Sequence, residues 1–327
     1  MLQSFPAPVN TYPTKTVAGK TFAQLKIVNT IAATPFDETF ENVKVNTKRN
    51  YVRLHNLPEF MKIKNKPIAL VGGGPSLDDT LNKLKEFDVI VSCGSSHDYI
   101  TTRGFKPTYA VLCDPDPITA NYIKYPCKET NYLVSTGCHK SVFNALEGYN
   151  ITLWHCNSES LLNRFSELGE EYHAIDGGCT VGLRSISIAL MFGYSDINFF
   201  GFDSCVGVKE ENGITYTKHH AYDFTDETKE FIGDLYDVKL GMNEDINKDR
   251  TFMCAGYQLA QISHFKSFYQ NYGIFFKPTF HGDGALTDLM SIIDRETKRL
   301  NNSKEEIIDY KANLMELLNK CKPGAKI

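Results

Sequence analysis

Three groups of residues have types and spacings suited to chemistry. The first is Gly72-Gly73-Gly74-Pro75-Ser76, which follows the apolar run Ile68-Ala-Leu-Val71 and precedes Leu77-Asp78-Asp79. A buried strand, a glycine turn and a helix N-terminus together offer bare N–H groups and a favourable dipole to an anion. The spacing is neither the dinucleotide fingerprint nor a Walker A loop. The alternative is a glycine turn that only lets strand and helix pack closely. The second group is His219-His220, set among Tyr216, Lys218 and Tyr222. Histidine suits proton transfer near neutral pH, although adjacent histidines are also common on surfaces. The third is Asp114-Pro115-Asp116-Pro117. Two carboxylates spaced Asp-x-Asp could hold Mg²⁺ between phosphates, contact a sugar or ribose, or only shape a turn.

These groups sit in an alternation of short apolar runs and helical patterns. Val89–Cys93, Tyr109–Cys113, Asn131–Ser135, Ile151–Trp154 and Asp196–Phe200 read as strands. Polar residues and glycines follow most of them: Ser95 and Ser96, Asp114, Thr136-Gly137, and Gly201-Phe202-Asp203. A helix follows Gly177-Gly178, with Thr180 and Gly182 at its start and Thr180 also readable as a plain N-cap. The pattern predicts an α/β fold with a Rossmann-like, mostly parallel sheet and flanking helices, whose ligands bind at the C-terminal strand ends.

Residues 1–64, broken early by Pro6, Pro8 and Pro13, read as an irregular or partly helical N-terminal extension. Residues 65–285 form the expected nucleotide-binding domain, within which 204–252 is polar, strand-poor and suited to a lid. A further helix is expected over 255–272, and a last strand starts near Phe275-Phe276 and leads to His281-Gly282-Asp283-Gly284. His281 and Asp283 there are candidates to close the crevice over substrate. Residues 286–327 are expected to be a helical segment with a solvated, charged face.

The chain has 327 residues, 42% of them hydrophobic, and a net charge of −4. No long basic tract supports broad nucleic-acid binding, though a nucleic-acid acceptor is not excluded. Nine cysteines occur without CxxC pairs, which argues against a zinc ribbon and for a reducing compartment. Cys93, Cys113 and Cys205 end strands and read as small buried residues. No membrane-length apolar run or leader pattern is present, and the expectation is a cytoplasmic protein, with a homo-oligomer left open.

Several of these segments resemble one family. Gly-Gly-Gly-Pro-Ser-Leu (72–77) is similar to a loop shared by the motility-accessory-factor glycosyltransferases, their 6-hydroxymethylpterin diphosphokinase-like relatives and, more distantly, bacterial CMP-sialic-acid sialyltransferases. Gly104-Phe-Lys-Pro-Thr-Tyr-Ala-Val-Leu-Cys-Asp114-Pro115 is similar to the first group's strand ending in Asp-Pro. Gly178-Cys-Thr-Val-Gly182, Gly193-Tyr194 and Gly201-Phe-Asp203 resemble the shared helix–strand pair, and Asn212-Gly213 with His219-His220-Ala221 resembles an Asp-Gly…His-Ala element. The likeness spans roughly 66–285. Two departures stand out. The Thr-Asp-Leu-Asp-Gly element of the diphosphokinase-like members is absent, and His281-Gly-Asp-Gly284 matches their His-Gly-Asp-Asn only in part.

The resemblance implies a nucleotide-dependent transferase. The departures favour a glycosyltransferase using a nucleotide-sugar donor, with a CMP-sugar preferred. It implies a base at His220 or His219, with Asp203 orienting it or binding the acceptor. Gly73, Gly74, Pro75, Ser76, Ser95, Ser96, Asp114, Thr180 and Gly182 are the expected nucleotide contacts. Asp116, Tyr222, His281 and Asp283 are the expected substrate contacts, and Lys218 or Tyr222 could neutralise the leaving phosphate. The alternatives are an ATP-dependent diphosphokinase with Mg²⁺ on Asp114 and Asp116, and a non-catalytic nucleotide-binding module.

Overall fold

Four-residue apolar runs bounded by turns make strands buried on both faces, as in parallel sheets. The computed structural model describes residues 14–17, 20–23, 34–157, 164–168, 174–211, 214–218, 220–221, 235–242, 245–246, 250–300 and 308–320. Its main sheet has nine strands: β1 (Val52–Arg53), β2 (Ile68–Val71), β3 (Ile90–Cys93), β4 (Tyr109–Leu112), β5 (Asn131–Ser135), β6 (Asn150–Cys156), β7 (Ala174–Ile175), β8 (Asp196–Phe200) and β9 (Lys277–His281). The order is β9-β8-β2-β3-β4-β5-β6-β1, with β7 beside β6. Every pairing in it is parallel.

Alternate side chains along each strand feed opposite faces. Leu70, Val91, Val111 and Leu133 join one core with Ile186, Leu190, Phe199 and Phe265. Ala69, Val71 and Ile90 face the other way, onto Leu77, Leu84 and Ile100, as do Leu112 and Val134 onto Val142 and Phe143. The helices are α1 (Phe36–Thr47), α2 (Leu77–Thr80), α3 (Ser96–Thr101), α4 (Lys140–Ala145), α5 (Val181–Met191), α6 (Gly256–Tyr272), α7 (Ala285–Leu300) and α8 (Tyr310–Lys320). Helix α5 lies across β2, β3 and β4. Among the described residues, no helix is long and apolar enough to cross a membrane.

One expectation holds in detail and one changes. The N-terminal stretch is partly helical, as expected: α1 buries Phe40 and Val43, Thr14–Val17 pairs with Lys20–Ala23, and β1 extends the main sheet. The segment 204–252 is not strand-poor. Gly207–Glu211 pairs antiparallel with Ile214–Lys218, and Leu235–Val238 with Phe252–Ala255. The hairpin escapes an apolar-run criterion because its first strand, Gly207–Glu211, ends in three consecutive charged residues, Lys209, Glu210 and Glu211. The Asn212-Gly213 dipeptide between its strands is itself a strong hairpin signal.

Candidate functional site

From β2 the chain builds the sheet in one direction as far as β6, then returns to place β8 and β9 on the opposite side of β2. The crevice between the ends of β2 and β8 is therefore the topological switch point, where open α/β sheets bind ligands. The glycine loop leaves β2 here, against Gly201 leaving β8. Gly72 N–H donates to the Phe200 carbonyl and Gly74 N–H to the Gly201 carbonyl, each at 2.8 Å. A Cβ at Gly72 would lie 2.6 Å from the Gly201 oxygen, and one at Gly74 only 2.4 Å from Asp203 Oδ2. These two glycines are required by close backbone approach.

Asp203 fixes the next turn. Its Oδ2 accepts from Ser76 N–H at 2.8 Å and its Oδ1 from Ser76 Oγ–H at 2.6 Å. Burial raises the Asp203 pKa, and the Ser76 bonds oppose that rise. With Leu77 N–H bonded to the Gly74 carbonyl and Pro75 lacking a donor, only Gly73 keeps a loop N–H without a partner among the described residues. The expected contribution of Gly74 and Ser76 amides to an anion gives way to internal bonds in this arrangement.

The remaining donors come from α5. Thr180 caps it, accepting from Leu183 N–H at 3.3 Å, so the N-cap reading of Thr180 holds. The first-turn N–H groups of Val181 and Gly182 stay outside the helical ladder. A cavity of about 150 Å³ lies between this helix start and the glycine loop, and Ser95, Thr180, Gly182, Asp203 and His220 all line it. Ala221 N–H donates to the Gly73 carbonyl at 2.9 Å, which fixes the chain next to His220 against the loop. Lys218 pairs with Asp78.

Other candidates lie elsewhere. Ser96 is fully buried; its Oγ donates to the Val71 carbonyl at 2.7 Å and accepts from Cys93 N–H at 3.0 Å, so it braces the β3 turn instead of facing a nucleotide. Pro75 packs beside Gly207. Asp114 accepts from Asp116 N–H at 3.0 Å, and Asp116 from Ile118 N–H at 2.9 Å, each bond shaping the turn after β4. Burial raises the Asp114 pKa. Among the described residues no three His, Cys, Asp or Glu side chains are grouped to hold a metal. His281 stacks on Phe200 at 4.2 Å, with Nε2 at 2.9 Å from Asn198 Oδ1, and Asp283 pairs with Arg250 at 2.6 Å. Asp114, Asp116, His281 and Asp283 do not line the cavity. His219 and Tyr222 lie outside the described residues.

Sequence reasoning missed Ser204, Tyr257, Gln258 and Gln261, which complete the cavity wall. Strand Phe252–Ala255 followed directly by α6 was the available signal, since it sets a second helix N-terminus at the site. Cys93 and Cys205 also line the cavity, but burial pushes both thiols up to about 12, so they stay protonated near neutral pH.

The sequence model of the family described as 6-hydroxymethylpterin diphosphokinase MptE-like matches residues 37–209. No curated protein matches the sequence. Among solved structures, the MAf glycosyltransferase from Magnetospirillum magneticum AMB-1 aligns with a TM-score of 0.53 at 15% identity, over 82% of this chain and 42% of that one. The chain thus spans under half the length of that structure, and the likeness is one of fold. A mammalian sialyltransferase in complex with Gal-beta-1-3GalNAc-ortho-nitrophenol aligns with a TM-score of 0.31 at 10% identity, over 58% of this chain and 78% of that one.

Proposed function

The chain belongs to the 6-hydroxymethylpterin diphosphokinase MptE-like family, and from that premise we propose that it is a nucleotide-dependent transferase, specifically a glycosyltransferase with a nucleotide-sugar donor. The observation that carries this reading is the convergence of the glycine loop, the α5 N-terminus and His220 on one cavity at the switch point. The donor's phosphate oxygens accept from the N–H groups of Gly73, Val181 and Gly182. The acceptor hydroxyl loses its proton to the imidazole of His220, and its oxygen attacks the anomeric carbon. The bond from that carbon to the phosphate oxygen breaks, and the α5 dipole stabilises the charge left on the departing nucleotide. Asp203, with both oxygens on Ser76, holds the loop in shape instead of moving protons.

A cavity of about 150 Å³ is smaller than the roughly 300–1,000 Å³ of ordinary small-molecule sites. It suits one phosphate group with part of its ribose or sugar, the rest of the donor extending along the strand ends. Among the described residues no Lys or Arg lines the cavity. Both features favour a nucleoside-monophosphate sugar such as a CMP-sugar.

The second reading is an ATP-dependent diphosphokinase, favoured by the name of the matching family. Asp114 and Asp116 are the carboxylates that would hold its Mg²⁺. Each already anchors a backbone N–H, and both lie off the cavity, beyond β3 from the glycine loop. They do not fit an ion bridging to phosphate there. Thermal shift with CMP, UDP and ATP, each with and without Mg²⁺, separates the readings. Stabilisation by CMP without metal is expected; stabilisation by ATP alone, and only with Mg²⁺, supports the second reading against the first.

A further inference from the structure

Along α6, residues three or four apart share a face. Tyr257 and Gln261 of one such face line the cavity, and the next turn presents His264 to the loop that enters α5. His264 Nδ1 accepts from Cys179 N–H at 3.1 Å, across 85 positions of sequence. The same ring packs on Gly178, where an added Cβ would lie 3.3 Å from both His264 Cβ and Nδ1. Gly177 and Gly178 hold φ of +148° and +84°, in the left-handed region that favours glycine. At Gly177 a Cβ would also meet Arg184 Cα at 2.6 Å. The loop is thus pressed between α5 and α6. Cys179 is its last residue before the Thr180 cap, so the bond to His264 fixes where α5 begins.

A ring nitrogen that accepts from an N–H carries no proton, so the imidazole here is neutral, with its proton on Nε2. A proton on Nδ1 would set two donors face to face and break the bond. Burial first, and then the Arg184 guanidinium, lower the His264 pKa from the usual histidine range. The ring is therefore neutral near pH 7 and charges in mild acid. Arg184 is held in place on α5, donating to the Asn157 and Ile175 carbonyls at 3.1 and 3.0 Å. The Cys179 thiol on the loop, pushed up to about 11 mainly by burial, stays neutral.

We infer that His264 is a positioning residue for phosphate binding: its unprotonated Nδ1 holds the entry to α5 so that the Val181 and Gly182 N–H groups face the cavity, and protonation releases them. This rests on the transferase reading and adds a proton-controlled hold on that site. An imidazolium would by itself attract an anion. Position therefore predicts an affinity that falls in acid, and charge alone predicts one that rises.

The probe is the methyl ester of CMP, because a phosphodiester keeps one charge whereas a phosphomonoester gains a proton at about pH 6. Calorimetry in chelator is run between about pH 5 and 8, across the histidine range. The samples are the full chain, His264→Asn and His264→Leu, each checked for folding by circular dichroism at every pH. Asparagine places an oxygen acceptor at the branch where histidine has Nδ1, and it does not titrate. His220 also lines the cavity but is present in all three chains, so wild type against H264N isolates His264. Expected is a wild-type affinity that falls about 5-fold or more toward acid, the size of one lost hydrogen bond. H264N should lack that fall and stay near the neutral wild-type value, and H264L should bind weakly throughout. The same acid fall in folded H264N, a wild-type affinity that rises in acid, or full affinity in folded H264L overturns the inference and leaves the transferase reading in place. If the wild type binds no CMP ester at any pH, the inference and that reading fall together.

Discussion

Ala221 N–H donates to the Gly73 carbonyl at 2.9 Å, joining the segment that carries the candidate base to the loop that carries the candidate phosphate contact. In the proposed mechanism this bond would register proton transfer against donor binding. Substituting the histidine beside this bond leaves the bond itself in place. His220→Ala should lower turnover by about 10²-fold or more with donor affinity nearly unchanged. In the wild type, turnover should rise with pH as the base loses its proton. Steady-state kinetics across pH, paired with calorimetry of the nucleotide, checks both halves. Near-full turnover in the variant removes His220 from the mechanism.

The glycine loop should respond to the smallest side chain. At Gly74 an added methyl meets Asp203 Oδ2 at 2.4 Å and the Gly201 oxygen at 2.7 Å. Gly74→Ala should therefore cost about 1–3 kcal/mol, as overpacking does, and weaken nucleotide binding at the same time. Denaturant melts and a binding isotherm on the same preparation measure the two effects.

Removing the carboxylate that holds Ser76 should act on stability before chemistry. Asp203→Ala leaves the Ser76 N–H and hydroxyl without the partners they have at 2.8 and 2.6 Å. An expected loss of about 1–3 kcal/mol follows from stranding buried donors. Ser76→Ala, which retains the backbone bond, should lose less. Equal stabilities of the two variants and wild type would contradict this anchoring role.

Stability should also fall in mild acid. Burial, with Arg53 and His55 nearby, lowers the His155 pKa from the usual histidine range to about 4. Between those values the unfolded chain holds a proton that the folded chain does not, so stability decreases as pH falls. The slope from this residue is at most about 1.4 kcal/mol per pH unit. His264 and His281 are shifted in the same direction. Urea melts from pH 7 to 4 should show the decline, and His155→Gln should flatten it.

The aspartates after β4 should matter as turn formers. Asp116→Ala removes the acceptor for Ile118 N–H and should cost about 1 kcal/mol, as a lost cap does. Asp114→Asn and Asp116→Asn should leave turnover in excess chelator close to wild type. A strict Mg²⁺ requirement abolished by either substitution would restore their metal role.

Strands β2 to β6 and β8 are legible because each is an apolar run closed by a turn, and such runs have few homes other than a parallel sheet. The glycine loop is legible as a turn, yet its bonds to Phe200, Gly201 and Asp203 depend on β2 pairing with β8, which local sequence does not specify. Ser96 shows the converse: a hydroxyl after a strand looks available, but its Oγ turns inward to the Val71 carbonyl. Gln258 had one local signal, the join of strand Phe252–Ala255 to α6. Its place arises because α6 folds back onto residues 201–205, as in the bond from Ser204 to Gln261, 57 positions away.

The most direct measurement is product analysis by mass spectrometry after incubating the purified chain with nucleotide-sugar donors in chelator and, separately, with ATP and Mg²⁺. The glycosyltransferase account predicts free CMP from a CMP-sugar without metal, through cleavage between the anomeric carbon and the phosphate oxygen. Release of AMP from ATP, only with Mg²⁺ and with every nucleotide-sugar intact, would contradict it, since AMP is the product left when a diphosphate is transferred.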